Sequence, residues 1–73
     1  MGYKVMCYPK NGAAGLLARG CLADGHLSGT YYNHPSAAKK AAEGWLVRNP
    51  GANADVLTWR DGALVETLYG PTL

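Results

Sequence analysis

His34-Pro35-Ser36-Ala37-Ala38-Lys39-Lys40-Ala41-Ala42-Glu43-Gly44-Trp45-Leu46-Val47-Arg48-Asn49-Pro50-Gly51 is the stretch from which the rest of the fold is read. Proline has its φ pre-set for a first helical turn and needs no donor there, so Pro35 opens a helix, with His34 or Ser36 available as the cap. Asn49-Pro50-Gly51 stops it, because the residue before a proline avoids helical angles and the proline cannot extend the ladder. At about 100° per residue, Ala38, Ala41, Ala42, Trp45 and Leu46 fall on one side, and Lys39, Lys40 and Glu43 on the other. The first side is the one that meets a sheet: its alanines let the axis approach closely, and Trp45 supplies the bulk.

Beyond the helix, residues 55–60 and 63–69 read as a hairpin closed by Asp61-Gly62, a pair suited to the positive backbone angles of a two-residue turn. That turn pairs Trp59 with Leu64, Leu57 with Glu66 and Asp55 with Leu68 on one face, and Thr58 with Val65, Val56 with Thr67 and Ala54 with Tyr69 on the other. Both faces carry apolar side chains, and one short helix covers only one of them. We expect Leu57, Trp59, Leu64 and Leu68 under the helix. Val56, Thr58, Val65, Thr67 and Tyr69 then form a contact surface, with Tyr31 and Tyr32 nearby; the reverse assignment stays open.

Before the helix, residues 3–8 alternate large and polar side chains as a strand ended by Pro9, and 10–15 form a loop. Residues 16–22 and 26–32 bracket Ala23-Asp24-Gly25 as a second hairpin, with Gly20 and Gly29 inside the strands, where a missing side chain marks a bulge or a close approach. The expected fold is a single α+β domain over 1–73: an antiparallel sheet of four or five strands with one helix on one face, in the order βββαββ or ββαββ.

A chain of 73 residues buries only about 60% of the surface it exposes when unfolded. Its core is thin, on the order of 3–5 kcal/mol of net stability, which makes a second subunit or a partner a natural supplement. A hydrophobic fraction of 48% and a charged fraction of 16% exclude a disordered chain. The net charge of +2 comes from dispersed residues, so electrostatics alone would not drive nucleic-acid binding. The start does not resemble an export signal, and no apolar run approaches the ~18 residues of a membrane span. A cytoplasmic protein with Cys7 and Cys21 as free thiols is expected.

No constellation points to catalysis. Cys7, Cys21, His26 and His34 lack the close paired spacing of a structural zinc site. Each cysteine falls in an expected strand without a basic cluster or helix start to activate it. Asp24 and Asp61 read as turn formers, and Gly12-Ala13-Ala14-Gly15 precedes a strand rather than the helix that a phosphate cradle requires. No cofactor, metal or small-molecule substrate is expected. Lys39, Lys40 and Arg48 with Ser36 and the first helical amides compose a possible phosphate-binding face, with tyrosines available to stack on bases.

The string HPSAAKKAAEGWLVRNPGANADVLTWRDGALVETLYG, residues 34–70, resembles a bacterial family of small uncharacterised strand-strand-helix-strand-strand proteins. The overlapping string ARGCLADGHLSGTYYNHPSAAKKAAEG, residues 18–44, resembles the restriction-and-methylase-associated domain in its Asp-Gly hairpin and Pro-Ser-Ala-Ala helix start. In size and topology the chain is also similar to small phage-encoded inhibitors, anti-CRISPR proteins among them, that dock on a larger host complex. Together with the apolar sheet face the helix leaves uncovered, the last resemblance implies a non-enzymatic protein-binding module, an inhibitor or adaptor that binds a larger protein or a homodimer formed through that face. The alternative, implied by the second resemblance, is a nucleic-acid accessory domain using the basic helix face.

Overall fold

A computed structural model describes residues 2–19, 21–22 and 29–71. The elements are β1 (Tyr3–Tyr8), β2 (Gly15–Ala18), β3 (Cys21–Leu22), α1 (Pro35–Arg48), β4 (Asn53–Thr58) and β5 (Leu64–Tyr69). They form one antiparallel five-stranded sheet in the order β3-β2-β1-β4-β5, with α1 packed on one face. This is the α+β class read from the sequence, with its elements in the chain order βββαββ, one of the two orders expected.

The helix behaves as its ends dictate. Pro35 sits in the first turn, and His34 is the N-cap in extended conformation without a side-chain cap bond. At the other end the Asn49 side-chain amide donates to the Trp45 carbonyl at 2.8 Å, and Gly51 takes φ +85 to turn the chain back toward β4. Ala38, Ala42, Trp45 and Leu46 are buried, and Ala41 packs beside them. Opposite them, Val5 and Cys7 of β1, Leu17 of β2, Ala54 and Val56 of β4, and Ala52 just before β4 complete the core. Small residues on the helix meet medium ones on the strands, so a thin domain closes without a large aromatic in the sheet centre.

The last hairpin differs from the sequence expectation. Its loop is Trp59-Arg60-Asp61-Gly62 rather than Asp61-Gly62. The Thr58 N–H donates to the Ala63 carbonyl at 2.9 Å, the Gly62 N–H to the Thr58 carbonyl at 3.0 Å, and the Ala63 N–H to the Thr58 hydroxyl at 2.9 Å. Trp59 has left the ladder: its N–H donates to the Gly2 carbonyl at 2.9 Å. Lengthening a loop in this way moves the register by two, which leaves the faces unchanged. A β-bulge adds an odd step. Leu57 pairs with Leu64 but Val56 pairs with Glu66, so Leu64 and Val65 together oppose Leu57. Past the bulge, Ala54 and Val56 therefore share a face with Leu68 and Glu66.

The expected face assignment is corrected accordingly. Val56, expected on the contact surface, is 1% exposed under the helix because it pairs with Val5. Thr58, also expected there, lies by alternation on the helix side and spends its hydroxyl on the turn. Leu57 and Leu64, expected under the helix, face away from it. Leu68 packs against the core as expected.

Near the other edge, residues 16–22 are not one strand. Arg19 takes φ +51, and β3 returns at once to pair Leu17 with Leu22 and Ala18 with Cys21. The expected Ala23-Asp24-Gly25 turn, Gly20 and His26 lie outside the described residues. Gly29 is a close approach, as expected: a Cβ there would stand 2.7 Å from the Leu16 Cβ. Thr30 donates its N–H to the Leu17 carbonyl, and Tyr32 exchanges both backbone bonds with Tyr3.

Candidate functional site

The face of the sheet turned away from α1 is built in rows by the register. Side chains alternate across a strand, so with Val5, Cys7, Ala54 and Val56 under the helix, Lys4, Met6, Tyr8, Asn53, Asp55 and Leu57 point the other way. The β4 and β5 pairing adds Tyr69 beside Asn53, Thr67 beside Asp55 and Leu64 beside Leu57. One row thus reads Tyr8, Asn53, Tyr69; the next Met6, Asp55, Thr67; the third Lys4, Leu57, Leu64. Val65 alternates with Glu66 and joins this face.

The three rows differ in character. Tyr69 is 79% exposed, and with Tyr8 it flanks Asn53 at a separation of about 9–10 Å, two strand spacings. In the middle row the Thr67 hydroxyl donates to the Asp55 carboxylate at 2.8 Å. Burial, and then the nearby Asp55 carboxylate, push the Tyr8 hydroxyl above its ordinary pKa, so it stays a neutral donor. At the third row Leu64 is 61% exposed. The surface thus carries Tyr8 and Tyr69 around Asn53 at one end, Leu57 and Leu64 beside Lys4 at the other, and a hydrogen-bonded polar bar between.

Tyr31 borders this face. Gly2 lies two residues before Lys4, so a Cβ on it would point to the open side, and there it would overlap the Tyr31 ring. Tyr31 meets Trp59 edge-on, ring centroids 5.3 Å apart. Together with Gly2, Thr58, Arg60 and Asp61 they line a concavity of about 620 Å³. Tyr32 goes to the helix side and packs against the core. Of the residues expected to form the contact, the structure brings Val65, Thr67, Tyr69 and Tyr31 to one face and places Val56, Thr58 and Tyr32 on the other. Sequence reasoning missed Tyr8, Asn53, Leu57 and Leu64; pairing β1 with β4 identifies the first three by alternation, and the β4–β5 register adds Leu64.

The basic helix face is weaker than its sequence suggests. Ser36, Lys39, Lys40 and Arg48 are exposed, but the Lys39 ammonium lies 3.3 Å from the Glu66 carboxylate, which points to the helix side from β5. One of the three cations is thus partly neutralised. Cys7 is sealed in the core, and burial pushes its thiol up to about 12, whereas Cys21 is exposed; both are free thiols. Among the described residues no three His, Cys, Asp or Glu side chains come together as a metal site, and no helix is long and apolar enough to cross a membrane.

No family model, curated protein or solved structure matches the chain.

Proposed function

We propose that this chain is a non-enzymatic protein-binding module that docks on a larger protein through the open face of β1, β4 and β5. The observation that supports the reading is the row structure of that face: Tyr8 and Tyr69 at one end, Leu57 and Leu64 at the other, with the single helix spent on the opposite side. Rigid aromatic anchors at strand positions lose little entropy on binding, and interfaces draw on tyrosine for that reason. An inhibitor or adaptor role, as in small phage-encoded inhibitors of host complexes, fits a domain whose face is large relative to its core. Such a role places it in the cytoplasm of a bacterial or infected cell.

The reading is tested by affinity capture from bacterial lysate with three forms of the chain. A protein retained by the wild type and by the Lys39→Ala/Lys40→Ala variant, and lost with Leu64→Lys, supports docking through the sheet. Loss with the lysine variant and retention with Leu64→Lys would transfer the function to the basic helix face, and nucleic acid would then be the ligand.

A further inference from the structure

The outer edge of β5 is a feature separate from the open face. β5 ends the sheet, so its far side has no strand partner among the described residues. The Gly70 N–H donates to the Ala52 carbonyl at 2.9 Å, which fixes the phase of the antiparallel ladder. Glu66, Leu68 and Gly70 turn their backbone groups toward β4, and Thr67 and Tyr69 turn theirs outward. The bulge at Leu64 and Val65 interrupts the regular edge on one side, and Pro71, without an N–H, ends it on the other. What remains is a regular window over residues 66–70, centred on Leu68.

Natural edges are usually blunted by lysine, proline or a bulge within the strand. This window holds one charge, Glu66, and that charge is turned under the helix toward Lys39. Beside the window runs a groove of about 280 Å³ between α1 and β5, lined by Leu46, Val47, Leu68 and Pro71 together with the charged Lys39 and Glu43, in which Val47 is 70% exposed.

We propose that this edge pairs antiparallel with the same edge of a second copy, on a two-fold axis at Leu68. Thr67 of each copy then forms a hydrogen-bonded pair with Tyr69 of the other, and Glu66 meets Gly70 rather than a second Glu66. Leu68 meets Leu68 across the axis, where the two Val47 grooves converge and are closed. A second copy is the fitting occupant because the window satisfies its own outward donors and acceptors in a symmetric register, the condition for an isologous interface. The inference does not rest on the open face being a docking site.

The test uses the full chain in a Cys21→Ser background. Sedimentation should give twice the 7.7 kDa chain mass, and Leu57→Lys, which alters the open face only, should leave that mass unchanged. Under mild oxidation a mixture of Thr67→Cys and Tyr69→Cys chains should form a disulfide-linked dimer, because a hydrogen-bonded pair sets Cα atoms about 5.5 Å apart. Neither variant alone should link, its two cysteines then being more than about 7 Å apart. Tyr69→Pro removes an outward-facing amide, leaves the bonds to β4 in place, deletes an exposed ring that packs in no core, and should give a folded monomer. A monomeric wild type at high micromolar concentration, cross-linking by Thr67→Cys alone, or dissociation by Leu57→Lys without cross-linking of the mixture would each overturn the proposal.

Discussion

β4 and β5 are hydrogen-bonded neighbours in one hairpin, yet they live in opposite environments. In Asn53–Thr58, Ala54 and Val56 are essentially inaccessible; in Leu64–Tyr69, a strand with larger apolar side chains, Leu64, Val65 and Tyr69 are 45–79% exposed. Apolar content therefore does not decide burial here. Position under a narrow helix does, together with the bulge opposite Leu57 that sets which side of β5 meets it. The more hydrophobic strand is the one left at the surface, and it supplies part of the open face and the free edge.

The sharpest way to break that contrast is to put the same charge at both valines. Val56→Lys buries an unpaired ammonium in a core of small volume, costs several kcal/mol, and should leave no cooperative thermal transition by circular dichroism. Val65→Lys should keep the wild-type melting curve within about 0.5 kcal/mol. If the two variants melt alike, the face assignment is wrong.

Deletions probe the bulge itself. Removing Val65 leaves Leu64 opposite Leu57 and Glu66 opposite Val56, so the ladder becomes regular with every side chain on its present face. The expected cost is below about 1 kcal/mol by urea unfolding. Removing Thr67 instead shifts the remainder of β5 by one place and turns Leu68 outward, and that chain should be destabilised by at least about 2 kcal/mol.

Titration gives a gentler test of the buried side. The Cys7 thiol is raised from 9.0 to about 12 by burial, so in that window the unfolded chain gives up its proton while the folded one keeps it. Stability is complete below pH 9 and declines as pH rises toward 12, by at most about 1.4 kcal/mol per pH unit. Cys7→Val should flatten the alkaline limb of a stability-versus-pH curve, leaving the part that arises from the raised tyrosines Tyr8 and Tyr32. An unchanged slope would mean that the thiol is not sealed.

The smallest effect belongs to the link between the two environments. The Lys39 and Glu66 side chains are each nearly half exposed, and Lys39→Ala should change stability by no more than about 0.5 kcal/mol, with the difference vanishing in high salt. A larger loss would show that the pair clamps the helix to the edge strand.

Much of this architecture was legible from residue chemistry. Pro35 and the Asn49-Pro50-Gly51 stop delimit the helix, and its spacing identifies Ala38, Ala42, Trp45 and Leu46 as core; residues 3–8 read correctly as β1. The face of the final hairpin was not legible, for a local reason. Asp61-Gly62 is a strong two-residue turn signal, and nothing within the hairpin announces that Trp59 will leave the ladder for the Gly2 carbonyl and the Tyr31 edge, contacts more than twenty residues away in sequence. The bulge at Val65 likewise has no glycine to mark it. Arg19 gave similar trouble: a non-glycine residue at positive φ closes the β2–β3 turn before the more obvious Asp24-Gly25. Val65, Thr67 and Tyr69 followed from β5 alone; Leu64 needed the lengthened turn, and Tyr8, Asn53 and Leu57 needed the pairing of strands far apart in the chain.

The contrast between the two cysteines makes the molecule its own stopwatch. An alkylating reagent will find Cys21 at once, but Cys7 becomes reactive only when the helix lifts from the sheet, and its labelling rate in native buffer therefore clocks the opening of the whole domain. Measured with and without a captured partner, that rate would report how much binding slows the domain's opening.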